Sequence, residues 1–242
     1  WRAAGHRNLI GWGSHHLGQI QRALGRLDAA HAPYQQTLEI TAEASRPTLP
    51  AAGIGYAGLA EVAYQRNELD AAFRHVTEGI ELCRQFSFTP PLATALATLA
   101  WIRQARGDAG GAMEAMGEAE RAAPNLGVAG LLNPVPAQRA RLLLAQGDVA
   151  AAERWTGERG LGADDEPGYP HEVAYLVLAR VLLAQDLPDQ ALPLLERMHA
   201  AAAAQHRIGS VIELRALHAL ALAASGHDAA AVDALAEALT LG

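Results

Sequence analysis

One tight-turn signal recurs along the chain at nearly constant spacing. Each copy ends an apolar segment of helical periodicity, and a second such segment follows it. The turn residues are Gly25, Asn67, Gly107, Gly147, Asp186 and Gly226. Their successive separations are 42, 40, 40, 39 and 40 residues. Because Gly, Asn and Asp tolerate a left-handed helix end, each copy predicts two antiparallel helices joined by a turn.

A small residue follows every turn at an offset of five residues. These residues are Ala30, Ala72, Ala112, Ala152, Ala191 and Ala231. A small side chain at this point lets the second helix close onto the first. The pattern is typical of tetratricopeptide (TPR) repeats in a longer form than the usual 34 residues. We therefore expect one all-α domain over residues 1–242, a right-handed α-solenoid (superhelix) of about six TPR-like repeats with a period near 40 residues.

Four stretches rich in Pro and Gly predict the longer connections between repeats. They cover residues 45–53, 86–91, 125–136 and 157–170. Since the chain opens on Trp1 rather than Met, we expect it to be a fragment of a longer protein.

Composition excludes several classes of function. The net charge is −7 and all 19 basic residues are Arg, so we expect no nucleic acid contact, no P-loop lysine and no Schiff-base lysine. A single cysteine cannot form an internal disulfide, which fits a reducing compartment. No signal peptide opens the chain, and no apolar run reaches the roughly 20 residues that span a bilayer. These features predict a cytoplasmic protein without membrane contact.

The stretch GIGYAG at residues 53–58 has the G-x-G-x-x-G spacing of a dinucleotide-binding turn. Such a turn needs a preceding strand and a parallel sheet, whereas these glycines enter the first helix of the second repeat. We expect Gly53, Gly55 and Gly58 to permit close helix packing instead. No cofactor is predicted for this segment.

No catalytic motif stands out elsewhere, and we predict that the chain is not an enzyme. The chain has no H-E-x-x-H, C-x-x-C or G-x-S-x-G motif. His15 and His16 are adjacent and would point about 100° apart on a helix, so they cannot share a metal. The acidic run at residues 164–166 is expected to be solvated, and Cys83 to pack as a small apolar residue. No metal site is predicted.

The repeat alignment predicts a ligand-binding groove lined by the first helices. The side chains six positions before each turn are Gln19, Glu61, Trp101, Arg141, Arg180 and Leu220, and five of them are polar or aromatic. Three positions later on the same face, Arg22, Tyr64 and Gln104 continue the polar row, and Leu144, Leu183 and Ala223 follow in the later repeats. Four positions before the first set, residues such as Ala57, Ala97 and Ala137 are expected to leave room inside the groove.

Two interpretations of this row stay open. An indole flanked by guanidinium and carboxylate groups suits a polar small molecule such as a sugar or an organic acid. Alternatively, Arg141 and Arg180 pair with nearby carboxylates, and Trp101 fills a seam between repeats.

Residues 50–85 and 171–239 resemble the repeat segment of the large ATP-dependent LuxR-type transcription regulators, the bacterial group that includes the maltose activator MalT. The resemblance is strongest at residues 58–61, 67–72, 172–180 and 209–213. Asp186 and Pro188 depart from the family pattern, which has Gly and a hydrophobic residue there. The third and fourth repeats match weakly.

The resemblance implies that the repeats form the sensor of such a regulator, between a nucleotide-binding module and a helix-turn-helix. An inducer bound to the sensor would favour the active oligomer. ATP is expected to bind only to an N-terminal module, and DNA to the helix-turn-helix. The family-matching polar positions facing or beside the groove are Glu61, Glu172, Arg180 and Glu213. The expected partners are thus a small-molecule effector, further copies of the chain and other modules of the same regulator. The alternative function is a scaffold whose groove holds a peptide or a partner helix.

Overall fold

The computed structural model describes residues 7–42, 50–85, 87, 89–123 and 133–242. Within these ranges the secondary structure is helical and contains no strand. The helices are α1 (Arg7–Ala23), α2 (Leu27–Ala42), α3 (Pro50–Gln65), α4 (Leu69–Gln85), α5 (Thr89–Ala105), α6 (Ala109–Ala122), α7 (Val135–Ala145), α8 (Val149–Glu158), α9 (Glu172–Ala184), α10 (Pro188–Ala204), α11 (Ile208–Ala224) and α12 (Asp228–Leu241). A short 3₁₀ turn, Tyr169–His171, precedes α9.

All six predicted turns are confirmed. Each lies between the two helices of a hairpin and has a positive φ: Gly25 (73°), Asn67 (60°), Gly107 (81°), Gly147 (88°), Asp186 (59°) and Gly226 (77°). In two hairpins the next residue starts the second helix, since the Asp108 and Asp148 carboxylates accept bonds from the amides of Gly111 and Ala151. The turn residue therefore ends one helix and positions the cap of the next.

The small residues five positions after the turns are also confirmed as contact points. Five of the six alanines, from Ala30 to Ala191, are 0% exposed, and Ala231 is 8% exposed. Large apolar side chains surround these points, as Leu194 and Leu195 do for Ala191. Each hairpin therefore closes on an alanine methyl, which lets the two helix backbones approach each other.

The structure divides into two compact units, one of residues up to 22 and 26–135, the other of residues 23–25 and 136–242. In the first unit α3 packs on α2, α4 and α5, and α5 packs on α6. In the second unit α9 contacts α8, α10 and α11, and α11 packs on α10 and α12. Each unit is thus a set of stacked hairpins. The single domain over residues 1–242 stays a prediction.

The connections differ in part from the sequence prediction. Pro50 begins α3 and Thr89 begins α5, so the ends of the loops expected at 45–53 and 86–91 are helical. Proline is compatible with the first turn of a helix, where the amide has no intrahelical partner. A connection that was not predicted joins α10 to α11 through His206, whose φ is 54°. Residues 45–49, 86, 88 and 124–132 lie outside the described residues.

Candidate functional site

The glycines of GIGYAG lie inside α3 and allow three close helix contacts, as predicted. A Cβ on Gly58 would lie 2.2 Å from the ring of Tyr34 on α2. A Cβ on Gly53 would lie 2.9 Å from Cys83 Sγ on α4, and one on Gly55 would lie 2.8 Å from Leu38. The glycines of α3 therefore serve helix packing. The described residues include no strand, which a dinucleotide-binding turn requires.

In the first unit, the predicted site residues lie on α1, α3 and α5. Gln19 is exposed, whereas Glu61, Tyr64, Trp101 and Gln104 are half-buried. The structure thus leaves all five at least partly accessible. Whether they bind a ligand stays a prediction.

Glu61 forms an ion pair with Arg22 of α1, which links the first helices of the first two repeats. The same pair affects two neighbouring groups. Burial lowers the pKa of His15, while the Glu61 carboxylate partly opposes that shift. Burial, and then Glu61, raise the pKa of Tyr34. His15 is therefore held towards its neutral form beside a charged pair.

In the second unit, three predicted residues from three successive first helices meet. Arg180 on α9 donates a hydrogen bond of 2.5 Å to Glu213 on α11. Arg141 on α7 lies 3.6 Å from the same carboxylate oxygen. Burial lowers the pKa of Arg180 and Glu213 opposes that shift, but an arginine keeps its charge in this range. Pairing with carboxylates was the predicted alternative to ligand contact for both arginines, and both pair with Glu213. We call Arg141, Arg180 and Glu213 the arginine–glutamate network.

Glu172, also predicted to lie in or beside the groove, is buried at the start of α9. Its carboxylate accepts bonds from Arg207 and from the Ser210 hydroxyl, the latter at 2.6 Å. The Arg207 guanidinium also lies 4.7 Å from the ring centroid of Tyr169. Glu172 and Arg207 are only 8% and 7% exposed. This arrangement favours a structural role for Glu172, which joins the start of α9 to the turn before α11.

Four of the six positions expected to leave room inside the groove are buried. Ala57, Ala97, Ala137 and Leu176 occupy equivalent positions in four repeats, and all four are at most 5% exposed. At these four positions the side chain packs between helices, and the three alanines permit closer helix contact. His15 and Ala216, at the other two positions, are half-buried.

In the acidic run before α9, Asp164 and Glu166 are exposed as predicted, whereas Asp165 is half-buried and bonded. Asp165 accepts hydrogen bonds from the Gly162 amide at 2.8 Å and from the Tyr175 hydroxyl at 2.7 Å. The Tyr175 bond, followed by the Gly162 bond, lowers the pKa of Asp165. Arg197 donates to the carbonyl of Asp165 at 3.3 Å. This carboxylate organises the loop, and no cluster suited to a metal ion occurs among the described residues.

Cys83 packs as predicted, and burial raises the pKa of its thiol to about 11. No described helix is both long and apolar enough to cross a membrane.

Arg207, the partner of Glu172, was not predicted, and Arg22 was placed on the groove face without its ion pair to Glu61. A usable signal was present, because the ion pairs between repeats join residues about one period apart. The separation is 39 residues for Arg22 and Glu61, 35 for Glu172 and Arg207, and 33 for Arg180 and Glu213. A search for opposite charges at this spacing would have found all three pairs.

The family of MalT-like TPR regions matches the whole chain, residues 1–242. The chain belongs to this family. No curated protein sequence matches it significantly. The MalT-like TPR region is also similar to solved repeat structures. The first, from Podosopora anserina, is described as nearly identical TPR-like repeats of a kinesin light chain. It has 20% identity and a TM-score of 0.53, over 83% of this chain and 98% of that chain.

BtubC (BKLC) from P. vanneervenii is similar at 15% identity and a TM-score of 0.55, over 90% of each chain. At these identities the two structures support the TPR-like α-solenoid fold of this MalT-like TPR region and nothing beyond the fold. The departures from the family at Asp186 and Pro188 do not disturb it. Asp186 keeps the left-handed turn and Pro188 begins α10.

Proposed function

We propose that this MalT-like TPR region is the signal-sensing domain of a bacterial ATP-dependent LuxR-type regulator and binds a polar small-molecule effector. The observation that supports the proposal is the arginine–glutamate network of the second unit. Three successive first helices each contribute one charged side chain to it. A molecule bound there would contact three repeats at once. We propose no catalytic role for the domain.

The network also offers a way to convert binding into a signal. Glu213 holds Arg180 at 2.5 Å and Arg141 at 3.6 Å, so one carboxylate links α7, α9 and α11. An effector with a carboxylate, or with several hydroxyls, would compete with Glu213 for the two guanidinium groups. Exchange of partners would change the spacing of the three helices. A ligand shifts an equilibrium in this way only when it interacts differently with the two arrangements.

In such a regulator, nucleotide and DNA binding belong to other modules, and the sensor works in the cytoplasm. The proposal therefore assigns no cofactor to the chain. Its partners are the effector, the other modules of the regulator and further copies of the chain.

A scaffold that binds a protein partner is the second candidate, and the surface of α12 favours it. Val232, Leu235 and Leu239 lie along this helix and are 66%, 46% and 74% exposed. The residues that match Leu235 in the earlier repeats are Tyr34, Val76, Met116, Thr156 and Leu195, all buried. An exposed apolar row whose central residue, Leu235, lies at a register buried in the earlier repeats suits contact with another helix.

A ligand screen tests the effector proposal. We would measure the melting temperature of the chain with sugars, sugar acids and di- and tricarboxylates, and then titrate each stabilising compound calorimetrically. Replacing Arg180 or Arg141 by Ala is expected to abolish binding while helicity measured by circular dichroism is kept. Arg66→Ala is the matched control, because Arg66 forms an ion pair with the exposed Asp28 in the first unit.

An effector that binds Arg180→Ala and Arg141→Ala as tightly as the unchanged chain would remove this site assignment. If no compound stabilises the chain while a peptide library yields binders sensitive to Leu235→Ser, the scaffold function replaces the sensor function.

A further inference from the structure

A cavity of about 300 Å³ lies between α4, α5 and α6 in the first unit. Its apolar lining includes Phe73 of α4, Leu96 and Leu99 of α5 and Ala115 of α6. None of the nine predicted site residues lines it. The cavity is therefore a feature separate from the arginine–glutamate network.

Comparison of the repeats explains why the space occurs here. Leu96 lies eleven residues before the turn residue Gly107, and Ala115 lies eight residues after it. In the preceding repeat the same positions hold Tyr56 and His75. Their rings contact each other, with centroids 6.0 Å apart. In the second repeat, two aromatic rings thus fill the space that stays open beside Leu96 and Ala115 in the third repeat.

In each of the three later repeats, at least one of the two positions holds a larger side chain. The pairs are Pro136 with Trp155, Tyr175 with Leu194, and Arg215 with Ala234. Arg159 covers the Trp155 ring at 4.8 Å, Tyr175 packs on the core around Leu194, and Arg215 forms an ion pair with Glu237 at 2.8 Å. Among these five repeats, only the third combines two side chains that contain neither a ring nor a charge.

The size of the cavity suits a ring with a short substituent. An apolar cavity of about 150 Å³ is large enough to bind benzene in a protein core. The cavity between α4, α5 and α6 has about twice that volume, although it opens partly to solvent and four of its ten lining residues are charged. Arg106 covers one face of the Phe73 ring at 4.6 Å, so a bound ring would meet the edge or the other face of Phe73.

The charged side chains at the cavity indicate the substituent. Arg84 is paired with Glu118, and Arg103 donates a hydrogen bond of 2.8 Å to the carbonyl of Gly111. Glu81 also lines the cavity and is exposed. Among the residues that the structure describes, its carboxylate makes no ion pair or hydrogen bond. An ammonium group can therefore pair with Glu81 without breaking an existing contact.

We propose that the cavity between α4, α5 and α6 is a binding site for a small aromatic amine. The ring fills the volume that the Tyr56 and His75 rings occupy one repeat earlier, and the ammonium group pairs with Glu81. The site lies between the second helix of one repeat and both helices of the next. A bound amine would therefore join the second and third repeats.

The test uses 2-phenylethylamine as the probe, with binding to the chain followed by ligand-observed NMR and calorimetry. Two matched compounds separate the contributions of ring and charge. 3-Phenylpropionate keeps the ring and reverses the charge, while 2-cyclohexylethylamine keeps the charge and loses the flat ring. We expect saturable binding of the probe and at least tenfold weaker binding of both other compounds. Equal binding of 3-phenylpropionate would overturn the assignment to amines.

Two variants locate the bound probe. Leu96→Tyr combined with Ala115→His introduces the pair found in the preceding repeat and is expected to abolish binding. Glu81→Gln, at an exposed position that needs no repacking, is expected to weaken binding about tenfold, equivalent to about 1.4 kcal/mol. Glu78→Gln on the same helix is the control, since Glu78 is exposed and does not line the cavity. The proposal fails if the probe does not bind saturably, or if Glu81→Gln and Glu78→Gln bind it equally.

Discussion

The ring of Tyr34 lies directly against the backbone of Gly58. The two residues belong to α2 and α3, and Tyr34 is 0% exposed. A Cβ at Gly58 would lie 2.2 Å from Tyr34 Cε1, so the glycine is required by the contact rather than by backbone conformation. Gly18 of α1 faces the same ring, where an added Cβ would lie 2.3 Å away. The ring of Tyr34 therefore sets the distances between α1, α2 and α3.

Gly58→Ala should destabilise the first unit, because the added methyl overlaps a buried ring that has no free space to enter. We expect a loss of about 1–3 kcal/mol in the free energy of unfolding, measured by urea denaturation. Gly117→Ala is the control. Its new Cβ would meet only Arg121 Nη1, at 3.6 Å, so the better helix propensity of Ala should add up to about 1 kcal/mol. Equal effects of the two changes would contradict the packing argument.

Asp186→Gly should stabilise the second unit. Asp186 has φ 59° at a turn where four of the six repeats have Gly. A side chain in the left-handed region costs about 1–2 kcal/mol relative to glycine, and Asp recovers part of this by local hydrogen bonding. We therefore expect a gain of up to about 1 kcal/mol in unfolding free energy. The reverse change, Gly147→Asp, should give a loss of similar size, and a loss from both changes would refute the argument.

The sequence predicts the turns and the closing alanines because each requirement is met by few residue types. A left-handed helix end needs Gly, Asn or Asp, and a close hairpin needs a small residue, so both leave a visible pattern. The end of α10 at Ala204 is less visible. Its left-handed residue is His206, and neither Gly nor Pro marks the turn.

The candidate site is predicted only in part for a different reason. The register of the first helices places Arg141 and Arg180 correctly on one network. The pattern of one helix does not identify Glu213 as their partner, which becomes visible only when opposite charges about one repeat apart are compared. The same limit applies to Glu172, whose burial follows from the turn that carries Arg207.

Glu172→Gln should be strongly destabilising. The change leaves Arg207 charged, buried and without its carboxylate, a situation that costs about 3–5 kcal/mol in unfolding free energy. Asp28→Asn is the matched control, because Asp28 is 99% exposed in its pair with Arg66 and such pairs contribute about 0–1 kcal/mol. Glu172→Leu combined with Arg207→Met should recover much of the loss by removing both charges. A loss below that of Asp28→Asn would show that the buried pair is not needed.

The stability of the chain should fall as the pH rises above about 9, with a measurable share from Cys83. Burial raises the pKa of this thiol from 9.0 to about 11 in the folded state. Since the folded pKa is the higher one, the contribution is fully present below pH 9 and is lost as the pH rises towards 11. The chain has no lysine, so tyrosines are the main other side chains that titrate in this window.

Urea denaturation at pH 8, 9, 10 and 10.5 measures the effect, and Cys83→Ala separates the thiol from the tyrosines. We expect the difference in unfolding free energy between the unchanged chain and Cys83→Ala to shift in favour of the variant at each step above pH 9. In the same range, thiol-reactive dyes should label Cys83 slowly in the folded chain and rapidly in urea, because the buried thiol is protonated and covered. A pH-independent difference, together with fast labelling of the folded chain, would show that Cys83 is accessible and titrates normally.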